Sequence, residues 1–144
     1  MSPPVLVDTS AFHALENTGD VTEHEVARRV ADGLEQDRAV LVTTDYILDE
    51  TYTLLRQVLG HSTAVAFGHE LRQGGIEIVQ VGELLQRDAW GIFEKYGDKD
   101  FSFTDCTSFA LMRSIGLELA FTFDRHFQQF GFRTLPARLP RKRK

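Results

Sequence analysis

Residues 102–132 read SFTDCTSFALMRSIGLELAFTFDRHFQQFGF, and the apolar pattern of this stretch decides the fold. Gly116 interrupts the pattern where a helix would end, and a run of apolar residues follows at once. Four elements are predicted in order: a helix over 104–115, a buried strand over 119–123, a short helix over 124–130 and an edge strand over 131–135. A buried strand between helices is typical of a parallel sheet, because parallel strands are joined by crossover connections.

The rest of the chain repeats this alternation of apolar strands and helices. Strands are predicted over 5–7, 39–42 and 76–81, and helices over 11–16, 22–36, 45–59, 61–72 and 83–95. This order predicts an α/β fold, a three-layer sandwich with a mostly parallel central sheet. In the helix over 83–95, the candidate core residues are Leu84, Leu85, Trp90 and Phe93.

Length and composition predict one globular domain. The 144 residues are 42% hydrophobic and 26% charged, which excludes an intrinsically disordered chain. We predict a domain over 1–137 and a basic tail over 138–144. No apolar run approaches the roughly 18–20 residues that a membrane span needs. The single cysteine and the lack of a secretory signal pattern lead us to expect a cytoplasmic protein.

Charge is distributed unevenly along the chain. Residues 138–144 contain five of the 16 basic side chains, and the remainder has 11 basic and 21 acidic residues, a formal charge of −10. An acidic body is not the usual footprint of a basic nucleic-acid-binding patch, but it suits a site that collects carboxylates around cations. The tail has two interpretations: a contact to a nucleic-acid backbone, or a solvated end that keeps the protein soluble.

Three aspartates lie where parallel α/β sheets place their ligands, beyond the carboxyl ends of the strands. Asp8 follows the first strand, Asp124 follows the fourth, and Asp105 begins the helix that leads into the fourth. We therefore expect these carboxylates to converge on one edge of the sheet. Each of them has an alternative interpretation as a helix cap.

Glu50 is the fourth acidic candidate. The apolar stripe of the helix over 45–59 consists of Ile47, Leu54, Leu55 and Val58. Glu50 lies between the first two of these, so its side chain is predicted to point along the apolar face. A buried carboxylate needs a cation, a hydrogen-bond network or a raised pKa. The alternative is a partly exposed position at the edge of the stripe.

Carboxylates that gather without basic neighbours repel each other, and a divalent cation relieves that repulsion. Mg²⁺ and Mn²⁺ accept oxygen ligands, whereas Zn²⁺ prefers His or Cys. The five histidines show no zinc-binding spacing, and Cys106 is alone. The sequence has no Gly-rich phosphate loop, GxGxxG or GxSxG element, which argues against the corresponding nucleotide, dinucleotide and serine-hydrolase chemistries.

Together these motifs resemble the PIN domain family, and within it the bacterial and archaeal branch of VapC-type ribonucleases. The resemblance is carried by VLVDTSAF at 5–12, DYILDETYTLL at 45–55 and the stretch at 102–132, in the family's order and spacing. The last stretch is the most specific, because an acid that opens a helix is followed by a Gly, a short strand and the T-x-D-x-x-F element at 122–127.

The resemblance implies a metal-dependent endoribonuclease that hydrolyses RNA phosphodiester bonds and is the toxin of a type II toxin–antitoxin pair. The implied catalytic acids are Asp8, Glu50, Asp105 and Asp124. Of these, Asp8, Asp105 and Asp124 would hold Mg²⁺ or Mn²⁺, and the hydroxyls of Ser10 and Thr104 would be auxiliary groups. The implied partners are an RNA substrate, a cognate antitoxin and a second copy of the chain in a homodimer.

Two other functions fit parts of the sequence. A non-catalytic PIN-like module that binds RNA or protein is one, because the acidic body would repel RNA unless cations or a partner intervene. A receiver-like phosphoacceptor domain is the other, since it also combines an α/β fold with an acidic pocket. It is disfavoured because no adjacent acidic pair follows the first strand and no Lys follows the last.

Overall fold

The computed structural model describes residues 3–139, which form five strands and seven helices. The strands are β1 (Val5–Val7), β2 (Leu41–Thr44), β3 (Glu77–Val79), β4 (Leu119–Phe121) and β5 (Arg133–Leu135). The helices are α1 (Thr9–Glu16), α2 (Val21–Gln36), α3 (Asp45–Leu59), α4 (His61–Gln73), α5 (Glu83–Lys95), α6 (Phe103–Ile115) and α7 (His126–Phe130).

All five strands are parallel in one sheet, with the order β3-β2-β1-β4-β5. The chain builds the sheet outward from β1 through β2 to β3 and then crosses back to place β4 on the other side of β1. Because crossovers between parallel strands are right-handed, this reversal places α1 to α4 on one face and α5 to α7 on the other. The predicted three-layer α/β sandwich is confirmed.

The central strands β1 and β4 are buried on both faces, as expected for a parallel sheet that two helical layers cover. Every residue of β1 is at most 2% exposed, and so are Ala120 and Phe121 of β4. The register pairs Val5 with Leu119 and Val7 with Phe121, so both strands end at the same level. The polar residues that follow them therefore start from one edge of the sheet.

The bounds of α3 agree with the prediction because both ends carry strong signals. At the N-terminus the Thr44 hydroxyl accepts a 3.0 Å hydrogen bond from the backbone N–H of Ile47. At the C-terminus Gly60 has a φ of 99°, in the region that favours glycine, and so ends the helix.

The buried face of α3 differs from the predicted stripe. It consists of Ile47, Leu48, Thr51 and Leu55. Val58 is 53% exposed, whereas Leu55 and Leu59 in the same part of the helix face the core. Glu50 is exposed as well, so the prediction that it points along the apolar face is wrong. The alternative, a position at the edge of the stripe, is the correct one.

The prediction of core positions in α5 is wrong for three of the four residues. The exposed fractions are 74% for Leu84, 54% for Trp90 and 43% for Phe93. The buried side chains are Ala89 and Ile92, and this face packs along α6. Apolar residues occur on both sides of α5, and periodicity alone does not show which side is covered.

The bounds of β1 agree with the prediction, β2 lies two residues later than predicted, and β3, β4 and β5 are shorter than predicted. β4 ends at Phe121 rather than at residue 123, because the backbone N–H of Phe123 donates to the Ser10 hydroxyl instead of to a neighbouring strand.

The basic tail lies mostly outside the described residues, and its boundary at residue 137 stays a prediction. Within residues 3–139 no helix is both long and apolar enough to cross a membrane.

Candidate active site

The acidic candidates gather at the carboxyl edge of the sheet, beside β1 and β4. The strand order reverses between these two strands, and open α/β sheets bind ligands at such a switch point. Asp8 follows β1 directly, and its backbone N–H donates a 3.0 Å hydrogen bond to the Phe121 carbonyl at the end of β4. The pairing of the two strands thus fixes the position of Asp8.

The Asp8 side chain is buried, with 6% of its surface exposed. The Thr122 hydroxyl donates to Oδ2 of Asp8 at 2.9 Å, and the Ser10 hydroxyl lies 3.1 Å from the same oxygen. The Asp8 carboxylate forms no N-cap hydrogen bond to α1, the helix that it precedes, although the backbone of Thr9 hydrogen-bonds to it. Helix capping alone therefore does not explain this residue.

Two hydroxyl groups connect Asp8 to the turn that follows β4. The backbone N–H of Phe123 donates to Ser10 Oγ, and that of Asp124 donates to Thr122 Oγ1, both at 2.9 Å. The two hydroxyl oxygens are 3.0 Å apart. The network holds the turn against β1, and it places Ser10 beside Asp8, where the auxiliary hydroxyl was expected.

Asp105 caps α6 and also lies among the other acids at the edge of the sheet. It forms a capping box at the start of α6, in which Ser102 N donates to Asp105 Oδ2 at 3.1 Å and Asp105 N donates to Ser102 Oγ at 3.0 Å. The same Oδ2 atom lies 2.7 Å from Nδ1 of His126. The cap therefore also fixes the orientation of the carboxylate within the site.

Asp124 and His126 complete this side of the site. The backbone N–H of His126 donates to Asp124 Oδ1 at 2.9 Å, so Asp124 assists the start of α7. Nδ1 of His126 is 3.2 Å from the same oxygen. One ligand atom each from Asp105, Asp124 and His126 lie within 4.8 Å of one another.

Glu50 approaches the same carboxylates from α3. The Thr104 side chain forms a hydrogen bond with it, which places the second expected auxiliary hydroxyl between α6 and α3. The pKa of Glu50 is raised, first by partial burial of its cleft side and then by the negative charge of Asp105. The Glu50 side chain is therefore exposed to solvent on one side and interacts with Thr104 and the acids of the site on the other.

Burial and the negative charges of neighbouring acids raise the pKa of both Asp8 and Asp105. Burial raises the pKa of Asp8 to about 7, and the negative charges of Asp105 and Asp124 add to this effect. The pKa of Asp105 is raised as well, by burial first and by Asp124 second, while hydrogen bonds from Ser102 and His126 act in the opposite direction. Shifted groups in one cluster are typical of functional sites.

The donor set fits a divalent cation. Carboxylate oxygens are the preferred ligands of Mg²⁺ and Mn²⁺, and the atoms of Asp105, Asp124 and His126 are close enough to share one ion. A cation among them would offset both the burial of charge and the repulsion that raise the pKa of Asp8 and Asp105. Asp8 and Glu50 lie around this group of atoms and are not part of it.

His126 is the site residue that the sequence analysis missed. A single histidine has no ligand spacing of its own, and its partner Asp105 lies 21 residues earlier in the chain. The one available signal is its position two residues after Asp124, at the first residue of the short helix that follows β4.

Comparisons with known proteins agree on one family. The profile of the PIN domain family matches residues 5–133. The 23S rRNA-specific endonuclease VapC20 of Mycobacterium tuberculosis is 35% identical over 128 residues, which cover 89% of this chain and 95% of that protein. A VapC ribonuclease of Archaeoglobus fulgidus is 28% identical over 123 residues, 85% of this chain and 78% of the relative. The crystal structure of Mycobacterium tuberculosis VapC20, described there as a sarcin-ricin loop cleaving toxin, matches with a TM-score of 0.80 at 35% identity over 89% of this chain and 95% of that one.

Proposed function

The chain belongs to the PIN domain family, and from this premise we propose that it is a metal-dependent endoribonuclease and the toxin of a type II toxin–antitoxin pair. The observation that carries the proposal is the convergence of four acids, Asp8, Glu50, Asp105 and Asp124, at the switch point of the sheet. A cluster of mutually repelling carboxyl groups suits phosphodiester hydrolysis, because that chemistry needs cations beside a phosphate.

The cofactor is Mg²⁺ or Mn²⁺, held by Asp8, Asp105 and Asp124. When bound, the ion supplies positive charge that activates a water molecule and stabilises the charge that develops on the phosphate. The buried position of Asp8 and the capping box of Asp105 support this assignment, since both carboxylates are oriented before any ligand arrives.

The remaining residues orient groups and hold protons. Glu50 is exposed at the rim and has a raised pKa, so it is suited to orient the attacking water and to accept its proton. Thr104 positions Glu50 through its hydroxyl, and Ser10 positions Asp8 and the turn after β4. We expect one cleavage product to carry a 5′-phosphate.

The substrate class is structured ribosomal RNA. Two observations support this choice: the 35% identity to a 23S rRNA-specific endonuclease over 89% of this chain, and the TM-score of 0.80 to a toxin that cleaves the sarcin-ricin loop. The partners are a cognate antitoxin and, in a homodimer, a second copy of the chain. The compartment is the cytoplasm, where such an RNA is found.

The test uses a synthetic RNA hairpin with the sarcin-ricin loop sequence and a hairpin of the same stem with a scrambled loop. We expect cleavage of the first with Mg²⁺ or Mn²⁺, no cleavage with EDTA, and no cleavage by Asp105→Asn that is folded by circular dichroism. Cleavage of an unrelated RNA pool but not of the hairpin would contradict only the substrate class. A protein that binds RNA and metal but cleaves neither the hairpin nor the RNA pool would be the non-catalytic module.

A further inference from the structure

We propose that His126 is a nitrogen ligand of the active-site cation and that it gives the site a preference for Mn²⁺ over Mg²⁺. The inference rests on the metal-dependent function proposed above and adds the identity of the ion. It comes from the geometry of three side chains that the fold brings together from two segments of the chain.

The first argument is distance. Nδ1 of His126 lies 2.7 Å from Asp105 Oδ2 and 3.2 Å from Asp124 Oδ1. Neighbouring ligands of an octahedral ion with bonds of about 2.1 Å lie about 3 Å apart. The two distances from Nδ1 thus match the spacing of neighbouring ligands around one ion, and one ligand atom from each of the three residues lies within 4.8 Å of the other two.

The second argument is that the imidazole ring is held in place. The backbone N–H of His126 is anchored on Asp124 Oδ1 at 2.9 Å, and its ring packs edge-on against Phe101, with 5.5 Å between ring centroids. Phe101 is itself buried. A ring that is fixed from both ends loses little conformational freedom when it binds an ion, which favours ligation over a freely rotating surface histidine.

The third argument is chemical. Mg²⁺ binds oxygen almost exclusively, whereas imidazole nitrogen is a good ligand for first-row transition metals. Adding one imidazole to the carboxylate donors therefore stabilises Mn²⁺ more than Mg²⁺. To ligate through Nδ1, the neutral ring would carry its proton on Nε2.

The experiment measures the metal environment directly. Pulsed electron paramagnetic resonance of bound Mn²⁺ detects coupling to ¹⁴N when imidazole is a ligand, and competition titrations give the ratio of the Mg²⁺ and Mn²⁺ dissociation constants. The variants are His126→Asn, whose amide can replace the hydrogen bonds of Nδ1, and His61→Gln, an exposed control on α4.

We expect ¹⁴N coupling in the wild type and in His61→Gln and none in His126→Asn. The preference for Mn²⁺ should fall by about tenfold or more in His126→Asn and stay unchanged in His61→Gln. A wild-type spectrum without ¹⁴N coupling would overturn the proposal, and this outcome needs no variant to fold. An unchanged preference in His126→Asn would also overturn it and would make His126 a positioning donor.

RNA cleavage by the same samples separates this inference from the proposed function. Metal-dependent cleavage without ¹⁴N coupling would remove His126 from the ligand set and leave the nuclease intact. Coupling without cleavage would support the ligand and contradict the nuclease.

Discussion

Thr122 and Asp8 are 114 residues apart in the chain, and the hydroxyl of Thr122 donates a 2.9 Å hydrogen bond to Oδ2 of Asp8. The contact exists because β1 and β4 are parallel neighbours that end at the same level. Thr122 also accepts the backbone N–H of Asp124, so one buried hydroxyl orients two acids of the site. The arrangement of the candidate site therefore depends on the order of the strands in the sheet.

Replacement of this hydroxyl should weaken both the fold and the site. Thr122→Val keeps the shape of the side chain but removes one hydrogen bond to Asp8 and leaves the Asp124 N–H without the Thr122 oxygen, which costs about 1–3 kcal/mol in the free energy of unfolding. The pKa of Asp8 should rise further, because the Thr122 bond lowers it. Urea denaturation measures the first effect, and Mn²⁺ titration at neutral pH should show weaker binding. Thr122→Ser, which keeps the hydroxyl, is the matched control, and equal losses in both variants would contradict the role of the bond.

Glu50 and Asp49 are neighbouring exposed acids on α3, and only one of them contacts the site. Glu50→Gln should reduce cleavage by about 10²-fold or more, the usual effect of losing a general base, without loss of folding. Asp49→Asn should leave the rate close to that of the wild type. Single-turnover rates at saturating metal measure both. Similar rates for the two variants would show that Glu50 has no special role.

The raised pKa of Asp8 predicts how stability depends on pH when divalent ions are removed. The unfolded carboxyl group loses its proton near pH 3.8, and the folded one keeps it to about pH 7. Unfolding therefore releases a proton between these values, and rising pH favours the unfolded state. This contribution is at most about 4 kcal/mol, present below pH 4 and lost by pH 7.

Asp8→Asn isolates that contribution, because the amide cannot titrate and can still accept the Thr122 bond. We expect the variant to gain stability relative to the wild type as pH rises from 4 to 7 in EDTA. Urea midpoints across this range give the difference. Parallel curves for the two proteins would contradict the raised pKa. Addition of Mn²⁺ at pH 7 should stabilise the wild type more than the variant.

The sequence is informative about α3 because local signals mark both of its ends. Thr44 caps the first turn, and Gly60 has the positive φ that stops the last one. It is less informative about α5, where Leu84 and Trp90 are the larger apolar residues but small Ala89 is the one that is buried. Close packing of α5 on α6 favours a small side chain, and that preference depends on the partner helix.

In the site, too, some features could be predicted from the local sequence, and others depend on tertiary packing. The positions of Asp8 and Asp124 at strand ends are predictable, because the order of strands and helices already implies a parallel sheet. The contact between Asp105 and His126 is not, since it depends on how α6 and α7 pack beside β4. The burial of Asp8, which raises its pKa, cannot be predicted from the sequence either, because it depends on the packing of the whole domain.

The most direct measurement is cleavage of a mixed RNA pool by the purified protein with Mg²⁺ or Mn²⁺, beside Asp8→Asn and an EDTA control. We predict metal-dependent cleavage by the wild type and none by Asp8→Asn, with both proteins folded. Cleavage by Asp8→Asn at the wild-type rate, or cleavage by the wild type that persists in EDTA, would contradict the assignment of this acidic cluster as a metal-dependent nuclease site.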